Sequence, residues 1–143
     1  MHVAAILKEK GRAVETAKVD TSVMDVAARL SARRIGAIVV THADGGIAGI
    51  ISERDIIRVV GQHGASALDW PVSEAMTSAV LTCRESDTID KLMSIMTTRR
   101  FRHLPVVEDG RLAGIVSIGD VVKYHIAEVE LEATVMRDYI TAG

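Results

Sequence analysis

Cysteine is nearly missing from these 143 residues: Cys83 stands alone. One thiol cannot close an intramolecular disulfide or supply the thiolate cluster of a structural zinc site, so a self-sufficient core in a reducing compartment, the cytoplasm, is expected. Aromatic residues are scarce too, at 3%. The core must be packed from Val, Ile, Leu, Ala and Met, and stacking platforms for single-stranded nucleic acid are lacking. Charge of one sign is also missing: the formal net charge is −2, with acids and bases mixed along the chain. That excludes the basic excess of a general nucleic-acid binder. No apolar run is long enough to cross a bilayer, and the run at 3–7 turns charged at Lys8, Glu9 and Lys10 before reaching signal-peptide length. No membrane association is expected.

The equipment of catalysis is equally thin. His2, His42, His63, His103 and His125 lie far apart, without HxH or HxxxH spacing, so no metal site is expected. There is no Walker loop, no GxGxxG and no nucleophile set beside a base, so hydrolysis and hydride transfer have no visible machinery. The chain reads as a binder with no catalytic cofactor.

What the chain does have is repetition. Gly49-Ile-Ile-Ser-Glu-Arg-Asp-Ile-Ile-Arg58 returns as Gly114-Ile-Val-Ser-Ile-Gly-Asp-Val-Val-Lys123, with Gly, Ser and Asp in register at a spacing of 65. Upstream, Ile38-Val-Val40 matches Pro105-Val-Val107, and Asp44-Gly45-Gly46 matches Asp109-Gly110-Arg111 with two extra residues in the first copy. Both read as strand, Asp-Gly turn, strand. Before each hairpin runs a helical stripe: Val23, Val26, Ala27 and Leu30 in one copy, Ile89, Leu92, Met93 and Met96 in the other. Ser22 with Asp25 forms one N-cap, and Asp87 or Thr88 the second. Strands at 14–17 and 80–83 should precede these helices, and helices at 52–60 and from 117 onward should follow the hairpins.

The fold expected is α/β (α+β), two tandem βαββα repeats related by a pseudo-twofold axis. Its parts are 1–60 (first repeat with an N-terminal lead-in), 61–71 (connector), 72–128 (second repeat) and 129–143 (C-terminal helical extension). Residues 3–7 and 72–76 look like matching helical lead-ins. In the last helix Val122, Ile126, Val129, Ala133, Met136 and Ile140 step by 4, 3, 4, 3 and 4. That seam suits packing on its own domain or a homodimer contact.

A Gly-apolar-apolar-Ser-x-x-Asp run at a strand-to-helix junction offers unpaired N–H groups and positive dipole to a phosphate, with Ser52 and Ser117 as further donors. Asp55 and Asp120, one turn in, suit a ribose diol. Ser-x-x-Asp is equally an ordinary helix cap, and both readings stand. The copies differ where charge matters: Arg54 in the first faces Gly119 in the second. Arg100 and Arg102 are candidates to replace that cation; Arg33 and Arg34 are their first-copy counterparts, and any of the four is also a plain helix-end cation.

The paired motifs, with Ile35-Gly-Ala-Ile-Val-Val40 and Arg100-Phe-Arg-His-Leu-Pro-Val-Val107, resemble the CBS-domain family, two repeats forming a Bateman module. The resemblance spans nearly the whole chain and is closest to short stand-alone bacterial members. It implies up to two adenosyl-ligand sites in a cleft between repeats, and dimerisation into a disc. The ligands implied are AMP and NAD(H), with ATP, ADP or S-adenosylmethionine as others, and a protein effector reads the occupancy. On matching positions, Asp55 and Asp120 bind ribose, and Ser52 and Ser117 phosphate or ribose. Ile38, His103, Leu104 and Pro105 border the adenine, helped by Thr16 and Thr82, and Ala37, Arg54, Arg100, Arg102 and Gly119 complete the expected ligand-binding set.

Overall fold

The computed structural model describes residues 1–142. In chain order the elements are α1 (Val3–Lys10), β1 (Thr16–Lys18), α2 (Val23–Arg33), β2 (Ala37–Thr41), β3 (Ile47–Ser52), α3 (Glu53–His63), α4 (Ile89–Arg99), β4 (His103–Glu108), β5 (Arg111–Ser117) and α5 (Ile118–Ala142). Short 3-10 turns cover Ala65–Asp69 and Val72–Glu74. The fold is mixed α/β, with one sheet of three strands and one of two. The final residue of the expected extension over 129–143, Gly143, lies outside the described residues.

In the first copy β1 runs parallel to β2 and β2 antiparallel to β3. The connection from β1 to β2 is α2, opened by the Ser22 hydroxyl, which accepts the Asp25 N–H at 3.1 Å. Its apolar stripe buries Val23, Val26 and Leu30 against Ile38, Val40 and Ile51, with Val59 from α3. The connector expected at 61–71 is structured: α3 continues to His63, Ala67 is buried, and the Trp70 ring lies 4.8 Å from that of His63.

The second copy repeats this with one loss. Thr88 caps α4 by accepting the Lys91 N–H, and Ile89, Leu92 and Met96 are buried. The strand expected at 80–83 does not form; only Cys83 makes a parallel bridge, to Val106. The reason lies in β4. In the first copy Val39 donates its N–H to Glu15 and extends the ladder. The second copy has Pro105 at that place, and proline has no N–H to donate. The bonds that remain are Cys83 N–H to Pro105 carbonyl and Val107 N–H to Cys83 carbonyl.

Strand register corrects the repeat alignment. Ala37 stands opposite Ser52 and His103 opposite Ser117, so Ile38 corresponds to Leu104, not Pro105. The first hairpin is longer by one residue rather than two. A one-residue slip would turn every side chain of the strand to the wrong face, which is why the register, not the Val-Val likeness, decides. The shorter turn puts both Asp109 and Gly110 at positive φ (50° and 74°), as a two-residue hairpin loop requires.

The compact units cross the sequence boundaries. One contains Ala13–Leu81; the other joins Met1–Arg12 to the chain from Thr82 onward. Helix α1 thus belongs with the second copy, held by Val3 N–H to the Asp87 carbonyl and Ala4 N–H to the Glu85 carbonyl, with Val3, Ile6 and Leu7 buried. The segment at 72–77 serves the first copy: Ile50 and Thr77 exchange both backbone hydrogen bonds at 2.9 Å.

The repeated motif glycines make these dockings possible. A Cβ on Gly49 would lie 2.6 Å from the Thr77 carbonyl and 2.7 Å from Met76 Sδ; one on Gly114 would lie 2.7 Å from Leu7 Cδ2. Neither glycine has positive φ, so close approach is what they provide. Gly49→Ala is expected to destabilise the protein by about 1–3 kcal/mol, because the blocking atom is backbone tied into a bridge. Urea unfolding measures this.

Helix α5 buries Val121, but from Val129 to Ala142 every residue is exposed. The seam residues Val122, Ile126, Val129, Met136 and Ile140 are among those exposed, so the seam does not pack on its own unit. No helix among the described residues is long and apolar enough to cross a membrane.

Candidate functional site

Both copies end their hairpin in a serine that caps the next helix. In the first, the Asp55 N–H donates to Ser52 Oγ at 3.3 Å while Asp55 Oδ2 accepts the Ser52 N–H at 2.9 Å. In the second, the Asp120 N–H reaches Ser117 Oγ at 3.2 Å and Asp120 Oδ2 accepts the Ser117 N–H at 2.9 Å. These are reciprocal capping boxes, and they hold each carboxylate against the first turn of its helix. The cap and a ligand role use different atoms, since each box occupies Oδ2.

The other oxygen is treated differently in the two copies. Asp55 Oδ1 accepts from Arg58 at 3.2 Å and from the Thr77 hydroxyl at 3.4 Å. Asp120 Oδ1 takes no part in its box, and the Lys10 ammonium bonds to Oδ2 at 2.7 Å instead. Burial alone would raise the Asp120 carboxyl, but the Lys10 hydrogen bond, the Ser117 N–H and the Lys10 charge together hold it below the usual range. A depressed carboxyl stabilises the fold above its unfolded pKa and loses that contribution as pH falls through the folded value. Lys10→Met should therefore raise the Asp120 pKa and shift acid unfolding to higher pH, both readable by NMR titration and circular dichroism. Lys10, Arg58 and Thr77 escaped sequence reasoning because two of them come from exchanged lead-ins.

The cations occupy reciprocal places. The Glu53 N–H bonds to the Gly36 carbonyl at 3.0 Å, and the Ile118 N–H to the Arg102 carbonyl at 2.8 Å. Gly36 and Arg102 are thus equivalent, as are Arg54 and Gly119. Each copy has an arginine next to this hydrogen bond that the other copy lacks, Arg54 after the donor in the first and Arg102 as the acceptor in the second. Arg100 corresponds to Arg34 instead: both end their helices at positive φ, 59° and 54°. The pairing of Arg33 and Arg34 with Arg100 and Arg102 is corrected accordingly. Arg54, Arg102 and Gly119 are exposed, and a Cβ on Gly119 would meet only Ser117 Oγ at 3.7 Å. Packing does not demand that glycine.

The remaining candidates divide by burial. Ile38 (0% exposed) and Leu104 (1%) belong to the core, and Ala37 and Pro105 are buried with them. His103 is half-buried opposite Ser117, while Thr16 and Thr82 are exposed. Within the first copy β1, β2 and the β3–α3 junction place Thr16, Ala37, Ser52, Arg54 and Asp55 on adjoining chain; within the second, Arg102, His103, Ser117, Gly119 and Asp120 gather likewise. Cys83 is buried and its thiol pushed up to about 12, by desolvation first and then by Asp87, so it is no nucleophile.

The sequence matches the family described as CBS domain twice, over residues 7–62 and 72–127. The chain belongs to the CBS-domain family. A CBS-domain containing protein from Agrobacterium tumefaciens is 51% identical, with TM-score 0.85 over 87% of this chain and 99% of that one. A CBS domain protein from Pyrobaculum aerophilum, complexed with AMP, is 28% identical, with TM-score 0.75 over 84% of this chain and 89% of that one. A CBS domain pair in complex with 5′-methylthioadenosine and S-adenosyl-L-methionine is 26% identical, with TM-score 0.79 over 90% and 98%. This chain is thus a CBS pair in which each repeat borrows its lead-in from the other.

Proposed function

We propose that this CBS pair is a cytoplasmic, homodimeric regulatory module that binds adenine nucleotides without transforming them and passes occupancy to a protein effector. One observation carries the reading. A capping box needs serine and aspartate but no cation, yet besides the equivalent Arg34 and Arg100 each copy carries a further arginine at the junction, Arg54 or Arg102, from different positions. An anionic ligand explains a cation retained by two routes; a cap does not. Relatives complexed with AMP and with S-adenosyl-L-methionine make an adenosyl ligand the fitting class.

In this reading the helix N-terminus and the arginine receive phosphate, Ser52 or Ser117 adds a hydroxyl, and Asp55 or Asp120 accepts from the ribose diol. The chain around Ala37 and Ile38, or His103 to Pro105, borders the base, with Thr16 or Thr82 beside it. Signalling requires a ligand that binds two arrangements of the protein with different affinity.

The test is mass spectrometry of small molecules released from purified, denatured protein, together with thermal shifts against AMP, ADP, ATP, NAD, NADH and S-adenosylmethionine. An adenosyl compound in the release, or a ligand-dependent rise in melting temperature, is expected. Protein that is empty and unresponsive to all six would instead be a ligand-independent scaffold.

A further inference from the structure

The last turns of α5, about four of them, present a surface that their own domain does not cover. Every residue from Val129 to Ala142 is exposed, including Val129 (49%), Met136 (60%) and Ile140 (69%). A naked helix of this length is marginal in water unless an apolar face is packed. Two apolar stripes run along it, one of Leu131, Val135 and Tyr139 and one of Val129, Met136 and Ile140; the second continues into the docked half of the helix, where Val122 and Ile126 are also exposed.

Taking Ile126, Ala133 and Ile140 as heptad a positions makes Val122, Val129 and Met136 the d positions. The seam is apolar at every a and d position, and Ala133 lets the backbones approach. The flanking charges then choose between orientations. Lys123, Glu130 and Arg137 fall at e, and His125, Glu132 and Tyr139 at g. A parallel, in-register pair sets each Glu132 beside the partner's Arg137 and each His125 beside the partner's Glu130. An antiparallel pair of the same overlap brings Glu132 to the partner's Glu132, Glu130 to the partner's Glu130 and Lys123 to the partner's Arg137. Like charges facing one another disfavour that alternative.

We infer that the projecting part of α5 is one strand of a parallel two-stranded coiled coil with a second copy of this chain. It sharpens the dimer reading above to one surface and one orientation, and does not depend on nucleotide binding. A coil there ties the second copies of two chains together at a common stalk.

Cysteine crosslinking of the full chain tests it, since the native Cys83 is buried and leaves the introduced thiol as the exposed one. Met136→Cys, at a d position, is expected to form a disulfide-linked dimer under mild oxidation, whereas Leu131→Cys, on the opposite side of the helix, should crosslink several-fold less. Arg137→Glu added to Met136→Cys should lower the yield, and Glu132→Arg with Arg137→Glu should restore it. The inference is overturned if Met136→Cys fails to crosslink while sedimentation still reports a dimer, if sedimentation reports a monomer, or if Met136→Cys couples preferentially to Ile126→Cys, the antiparallel signature.

Discussion

Leu7→Ala is expected to lower the stability of the unit containing the second copy by about 2–5 kcal/mol, the range for truncating a fully buried leucine. Leu7 is 1% exposed, on a helix that lies outside the second repeat in sequence yet completes its core. Its methyl groups sit over Gly114, where an added Cβ would come within 2.7 Å of Cδ2 and 3.1 Å of Cδ1. The two positions should therefore be coupled. Gly114→Ala alone overpacks the contact and is expected to cost about 1–3 kcal/mol. Combined with Leu7→Ala, the new methyl enters the space that the leucine leaves, so the double variant should be more stable than the sum of the single losses. Urea unfolding of all four proteins reads the coupling directly. Strict additivity would mean that α1 does not pack on β5.

Nucleotide affinity should fall by at least roughly tenfold in Asp120→Asn, because a charge-assisted bond to a ribose hydroxyl is worth about 1.5–3 kcal/mol and 1.4 kcal/mol is a factor of ten. Asparagine keeps a side-chain oxygen for the Ser117 N–H, so the helix cap survives the substitution. Asp55→Asn is expected to have the smaller effect. Asp55 Oδ1 is already engaged by Arg58 and Thr77, and a ligand must compete with both, whereas the box and Lys10 all bind Asp120 through Oδ2. On the proposed reading the second copy is the readier site. Titration of each variant with AMP gives the two ratios; equal losses would mean that the difference at Oδ1 does not matter.

The helices were legible because Val23, Val26 and Leu30, or Ile89, Leu92 and Met96, recur at the helical period, and burial follows that period in the structure. The hairpins were legible from their Asp-Gly turns. What escaped depended on contacts distant in sequence. The missing strand at 80–83 is caused by Pro105, plainly visible in the sequence, but its effect required knowing which residue faces it. Ile38 and Leu104 are expected beside the adenine from the family resemblance, and the structure adds that both are buried in the core. The glycine of the repeated motif invited a phosphate explanation, and at Gly49 and Gly114 the neighbour proves to be the lead-in of the other copy. Lys10 could not be found beforehand, since nothing local marks a residue 110 positions away as the partner of Asp120.

The unequal copies now have a physical form. Both copies have the capping box and the glycine seat, while Arg54 and Arg102 stand at different positions of the junction and the carboxylates are met by Arg58 in the first copy and Lys10 in the second. Two ligands of different charge or size, or one ligand at two affinities, would suit such a pair.

The most direct measurement is a calorimetric titration of AMP into the wild-type chain and into Asp55→Asn/Asp120→Asn, with circular dichroism showing that both are folded. Saturable binding to the wild type, lost or weakened by at least roughly a hundredfold in the double variant, is the expected result. Undiminished affinity in a folded double variant would contradict the claim that these paired carboxylates hold the nucleotide.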